Sequence, residues 1–159
     1  MSMEKELLNT FDKKLLLKDL CARLPYGVKC QNFSHTYGRN VFKVTDIRDN
    51  GYICGIIDDQ YGSSVFDPLE LKPYLFPLSS MTEEQKKEIS KRYNLHTYYG
   101  LYIEITNHSE GYWDDDSSCN LQDYLWLVDW FNKNYFDYRG LIEKGLAIDA
   151  TGLNIYCSN

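Results

Sequence analysis

One stretch constrains the fold of this chain more than any other: residues 120–149, NLQDYLWLVDWFNKNYFDYRGLIEKGLAID, with two of the three Trp and the densest apolar run. Asn120 is a favourable N-cap, and Asp123 puts a carboxylate in the first turn, where the unpaired N–H groups and helix dipole favour it. From there Leu121, Tyr124, Leu125, Val128, Phe131 and Tyr135 recur at helical spacing, and Trp126 and Trp130 form a second stripe. A helix apolar on two sides is expected to be largely buried, so the two Trp cannot both face solvent. Asp137 is placed to cap a short second helix through YRGLIEK, with Gly145 as its stop.

The rest of the chain divides at its prolines and glycines. Leu17, Leu20, Cys21 and Leu24, with Leu8 and Phe11 upstream, predict a helix from about residue 2 that Pro25 ends. Residues 27–33 predict a short strand with Val28 and Cys30 on one face. Residues 42–48 and 52–57 flank Asp49-Asn50-Gly51, a hairpin signal that predicts a type I′ turn at Asn50-Gly51. Residues 58–64 are a loop by composition. Pro68, Pro73 and Pro77 predict an extended, turning segment over 65–78 and argue against a central strand there. Ser80-Met-Thr-Glu83 and Thr82-Glu-Glu-Gln85 both fit a capping box for a surface helix over 83–93, anchored by Ile89 and Tyr93. Residues 98–106 alternate as a strand, 107–119 form a long polar loop, and 146–148 suit a last strand. The expected architecture is a single α+β domain over 1–159: a small antiparallel sheet, open or barrel-like, covered by N-terminal and C-terminal helices. Residues 1–10 and 151–159 are expected as loose tails.

Composition narrows the function classes. A net charge of −6 over 159 residues disfavours duplex nucleic acid, whose affinity comes from Lys and Arg neutralising phosphates. The five Cys, at 21, 30, 54, 119 and 157, include no CxxC pair, and the opening MSMEKELLNTFDKK is too charged for a signal segment. Free thiols in a cytoplasmic setting, with no membrane partner, are the expectation. His35, His96 and His108 lie far apart, and the acidic loop His108-Ser-Glu110 with Asp114-Asp115-Asp116 lacks the alternation of a calcium loop, so no metal and no cofactor is expected. GxSxG, GxxxxGK[ST] and GxGxxG are absent, and Asp58-Asp59, as neighbours in an extended chain, point to opposite faces.

At KDLCARLPYGVKC (18–30), ELKPYLFPLSSMTEEQKKEI (70–89) and WFNKNYFDYRGLIEKGLAI (130–148), the chain resembles a group of small proteins encoded by gut Bacteroidetes and by their phages and prophages. That family carries no established activity, so it transfers no catalytic residue. The resemblance implies a context: a cytoplasmic accessory protein of a phage or mobile element, of the kind that binds and blocks host components.

What remains is rings in loops. Tyr112 and Trp113 sit in a polar loop where no core periodicity requires them, as a lid on the core or a binding hot spot. Tyr98 and Tyr99 beside Gly100, and Tyr37 and Arg39 around Gly38, are similar candidates; Arg with aromatic rings suits a planar anion. The favoured reading is a non-catalytic module that binds a protein partner through these aromatic loops. The alternatives are an anti-defence protein holding a small nucleotide ligand in an aromatic and Arg-lined pocket, and an enzyme built on carboxylates.

Overall fold

Pro25 and Gly27 set the boundary between the first helix and the sheet. In a computed structural model of the chain, which describes residues 3–33, 40–57, 63–92 and 121–156, helix α1 spans Met3–Arg23 and breaks into a single 3₁₀ turn, Leu24–Tyr26. Pro25 begins that turn, and Gly27, at φ 70°, reverses the chain into strand β1 (Lys29–Asn32). Strands β2 (Val41–Ile47), β3 (Ile53–Ile57), β4 (Ser63–Phe66), β5 (Leu71–Leu75) and β6 (Ile148–Asp149) complete the sheet. Helices α2 (Glu83–Arg92) and α3 (Leu121–Lys133) lie between β5 and β6 in the chain. The chain is α+β, packed as two compact units: Met1–Leu75 with Arg139–Asn159, and Phe76–Tyr138.

The first unit holds the whole six-stranded sheet, in the order β4-β3-β2-β1-β5-β6. It is mixed and open, not closed into a barrel: four pairs are antiparallel, and β5 pairs β6 in parallel. Val28, Cys30, Phe42, Val44, Ile53, Phe66, Leu71 and Leu75 are buried, as are Leu16 and Leu20 of α1. The Phe42 and Phe66 rings stack at 4.6 Å. Gly55 makes that possible, since a Cβ there would run into the Phe42 ring.

Several expectations shift here. The 49–51 hairpin forms, but with Gly51 alone at positive φ (80°), Gly51 N–H donating to Arg48 O (2.8 Å) and Arg48 N–H to Tyr52 O (2.9 Å). That is a three-residue loop with a left-handed glycine bulge, not a type I′ turn. The Asn50 carboxamide, which accepts from Tyr52 N–H, holds Asn50 out of the left-handed region. Pro73, expected to exclude a central strand, sits in β5 between β1 and β6. It opposes Cys30 at a position whose N–H would face away from β1, and β6 pairs only Tyr74 and Leu75, so no ladder bond is lost. β4 takes Ser63 and Ser64 from the expected loop and Val65 and Phe66 from the expected extended segment, completing the edge beside β3. Residues 151–156, expected as a loose tail, return to the sheet: the Tyr156 hydroxyl accepts from Lys29 N–H (3.2 Å) and donates to Tyr74 O (2.8 Å).

The second unit is built on α3. Its buried side is Leu127, Trp130 and Phe131, joined by Phe136, Met81 and Ile89. The helix ends in a Schellman turn: Tyr135 N–H donates to Asn132 O, Phe136 N–H to Phe131 O, and Tyr135 takes a positive φ (59°). This reversal brings the Phe136 ring flat onto Trp130, at 5.6 Å and 7°. α2 is the expected surface helix with Ile89 as its anchor, and Thr82 with Gln85 forms the capping box, each accepting the other's backbone N–H. The short helix expected after Asp137 does not form: Gly140 turns left-handed (φ 68°) at its start, leaving one turn stopped by Gly145, also left-handed (φ 68°). The strand expected over 98–106 and the loop over 107–119 lie outside the described residues.

Candidate functional site

The six ring and guanidinium residues singled out by sequence, Tyr37, Arg39, Tyr98, Tyr99, Tyr112 and Trp113, all lie outside the described residues, as do His108, Glu110 and Asp114 to Asp116. The described residues offer three other concentrations of chemistry.

The first is internal. Asp19 and Arg23, one turn apart on α1, are both fully buried, and Arg23 grips the carboxylate with a fork, Nε to Oδ2 at 2.8 Å and Nη2 to Oδ1 at 3.0 Å. Arg139 approaches the same carboxylate at 3.3 Å. Burial, reinforced by the Asp19 charge, pushes the Cys30 thiol far above the ordinary thiol range, so it is a neutral, inert core group rather than a nucleophile. Sequence periodicity missed this cluster. It marks Leu17, Leu20, Cys21 and Leu24, whereas the buried stripe is Leu16, Asp19, Leu20 and Arg23, with Cys21 exposed. The missed signal was an Asp–Arg pair at i, i+4 in phase with Leu16 and Leu20.

The second is the groove at the β2–β3 hairpin, a hollow of about 480 Å³ lined by Asp46, Ile47, Arg48, Asp49 and Asn50. Its polar groups are partly consumed by their own backbone: Asp46 accepts from Ile47 N–H and Asn50 from Tyr52 N–H. Among the described residues no three His, Cys, Asp or Glu side chains gather as metal ligands.

The third is the outward side of α3. Leu125 is 56 % and Val128 37 % exposed, flanked by the exposed Gln122 and Asp129. Of the expected stripe, Leu125 and Val128 therefore face solvent while Phe131 is buried with Leu127 and Trp130, and the helix is buried on one side, not two. Stacking of Phe136 on Trp130 decides which side turns inward. Trp126 is half-buried, packed against the core cluster and 6.5 Å from the Trp130 ring, so one Trp is core and the other borders solvent. An apolar pair one helical turn apart is chemistry suited to a macromolecular contact and to no reaction.

No protein-family model, no curated protein and no solved structure matches the chain. Among the described residues no helix is long and apolar enough to cross a membrane.

Proposed function

We propose that this is a non-catalytic, cytoplasmic accessory protein of a phage or mobile element that acts by binding a protein partner. The observation that supports the reading is the apolar pair Leu125 and Val128, left in solvent by a helix whose other side holds the buried Leu127, Trp130 and Phe131. Such a pair suits a partner presenting an apolar groove to one helical turn. The loop rings Tyr112 and Trp113, which precede α3 in the chain, stay candidates for partner binding on the sequence alone. Two groups that would draw notice as reactive are held in the core instead: Asp19 is forked by Arg23 with Arg139 nearby, and Cys30 is neutral and enclosed.

Affinity capture from a host lysate, with the intact chain and with a Leu125→Asp, Val128→Asp double variant as bait, tests the proposal. A partner retained by the first and lost by the second, confirmed by titration calorimetry with the purified partner, is the expected result. Equal retention of the same proteins by both baits, with melting temperatures matched, overturns it.

A further inference from the structure

The face of the sheet turned away from the core carries a line of lysines. Lys29 of β1 stands directly opposite Lys43 of β2, and Lys72 of β5 opposes Gln31, two residues along β1 from Lys29. Opposed residues share a face, and so do residues two apart, so Lys43, Lys29, Gln31 and Lys72 project from the same side of three adjacent strands. It is not the core side, because Val28, Cys30, Phe42 and Leu71, which alternate with them, are buried. A like-charge pair directly opposed across strands destabilises a sheet. Lys13 pairs with Asp67 and Lys86 with Glu83, but among the described residues no carboxylate pairs with Lys29, Lys43 or Lys72. Asp46 shares the face only beyond the β2 irregularity between Val44 and Asp46. In a chain of net charge −6, uncompensated cations in register call for a partner that supplies the anions.

The spread of the cations selects among anions. The Lys43 stem crosses Gly27, its Nζ 3.1 Å from where a Cβ of Gly27 would sit, while the Lys72 ammonium lies 5.4 Å from the Phe33 ring centre. Gly27 and Phe33 mark opposite ends of β1, about 20 Å apart at the strand rise of roughly 3.3 Å per residue. No single phosphate reaches both ends, whereas a chain of phosphates does. Lysine is a hydrated point charge that suits phosphate and is depleted from protein–protein contacts, which disfavours an acidic protein. The face has no helix to enter a duplex groove, whereas the phosphates of a single strand can follow a flat sheet surface. Gln31, its carbonyl held by the Tyr74 hydroxyl at 2.9 Å, keeps its N–H groups for an acceptor.

We propose that the Lys29, Lys43 and Lys72 face of the sheet binds single-stranded nucleic acid through its phosphates. This goes beyond the protein-binding reading and uses a different surface, so either can fail without the other. The test is fluorescence anisotropy of a labelled dT₂₀ with the full chain, titrated between 50 and 200 mM NaCl. Three phosphate contacts predict a log–log salt slope of about −2, an affinity loss of about twentyfold across that range. Lys29→Gln, Lys43→Gln and Lys72→Gln combined should cut affinity at least tenfold and flatten the slope, with a melting temperature equal to or above that of the native chain. Lys14→Gln, Lys18→Gln and Lys144→Gln combined, three exposed positions off this face, make the same change in net charge and should leave binding intact. The proposal is overturned by no binding of dT₂₀ at 50 mM salt, or by an unchanged triple variant. Equally tight binding of a 20-base-pair duplex, or of a polyglutamate peptide, also overturns it.

Discussion

At the scale of single residues, the chain is organised by polar groups placed where apolar ones were expected. Asp19 is out of water and tolerable only because Arg23 and Arg139 surround it. Removing it leaves two guanidinium groups without their shared counterion, one of them fully buried. Asp19→Ala is therefore expected to cost about 3–5 kcal/mol, read as a lowered urea midpoint at unchanged slope. Cys30 makes a pH prediction. Its folded pKa is raised by burial above the ordinary value of 9.0, and the Tyr74 hydroxyl is raised by burial and by Cys30 in the same sense. A raised folded pKa leaves stability intact below the unfolded value and removes it as pH climbs above that value. Urea midpoints should thus fall as pH rises past about 9, at roughly 1.4 kcal/mol per pH unit for one thiol. Cys30→Ala should melt lower at neutral pH yet lose less between pH 9 and 10; a parallel decline in both proteins would exclude the thiol as the cause.

At the scale of elements, α3 shows how a strong apolar pattern specifies a helix without specifying its buried side. Trp130 is 5 % exposed and stacked on Phe136, whereas Leu125 faces solvent. Trp130→Ala should cost about 3–5 kcal/mol and Leu125→Ala within about 0.5 kcal/mol, by chemical denaturation. Equal costs would mean that both sides of α3 are covered. α2 depends on its start instead: Thr82 and Gln85 satisfy each other's backbone N–H, and only Ile89 among its described side chains is buried. Thr82→Ala is expected to cost about 1 kcal/mol, with amide exchange rising first at the N-terminal turn.

At the scale of the whole molecule, the C-terminal residues close the sheet that the N-terminal half begins. β1 and β5 pair through Cys30, Gln31 and Asn32, and at the next rung, Lys29 and Tyr74, the Tyr156 hydroxyl stands between the strands. One oxygen thus replaces a ladder bond with a residue 127 positions from Lys29. Tyr156→Phe keeps the ring and orphans both backbone groups, so a loss of about 1–3 kcal/mol is expected. Faster amide exchange at Lys29 would place the loss at this rung; an unchanged Lys29 amide would mean that the tail contributes nothing there.

What the sequence determined by itself is what local physics decides. Pro25 ended α1, the Asp49-Asn50-Gly51 turn made the β2–β3 hairpin, Thr82 and Gln85 capped α2, and the apolar run after Leu121 made α3. Each depends on groups within a few residues of one another, so each was legible along the chain. Tertiary structure decided which side of α3 is buried, because Phe136 reaches Trp130 only after the chain reverses at Tyr135. It decided that Asp19 and Arg23 belong to the core, because Arg139 arrives from 120 positions away. It admitted Pro73 to the sheet, because the strand beside it leaves that one N–H position unpaired. It also set three lysines side by side, from residues 29, 43 and 72, in a chain whose net charge is negative. Charge totals carry no information about which strands become neighbours, and only the register of β1 with β2 and β5 does.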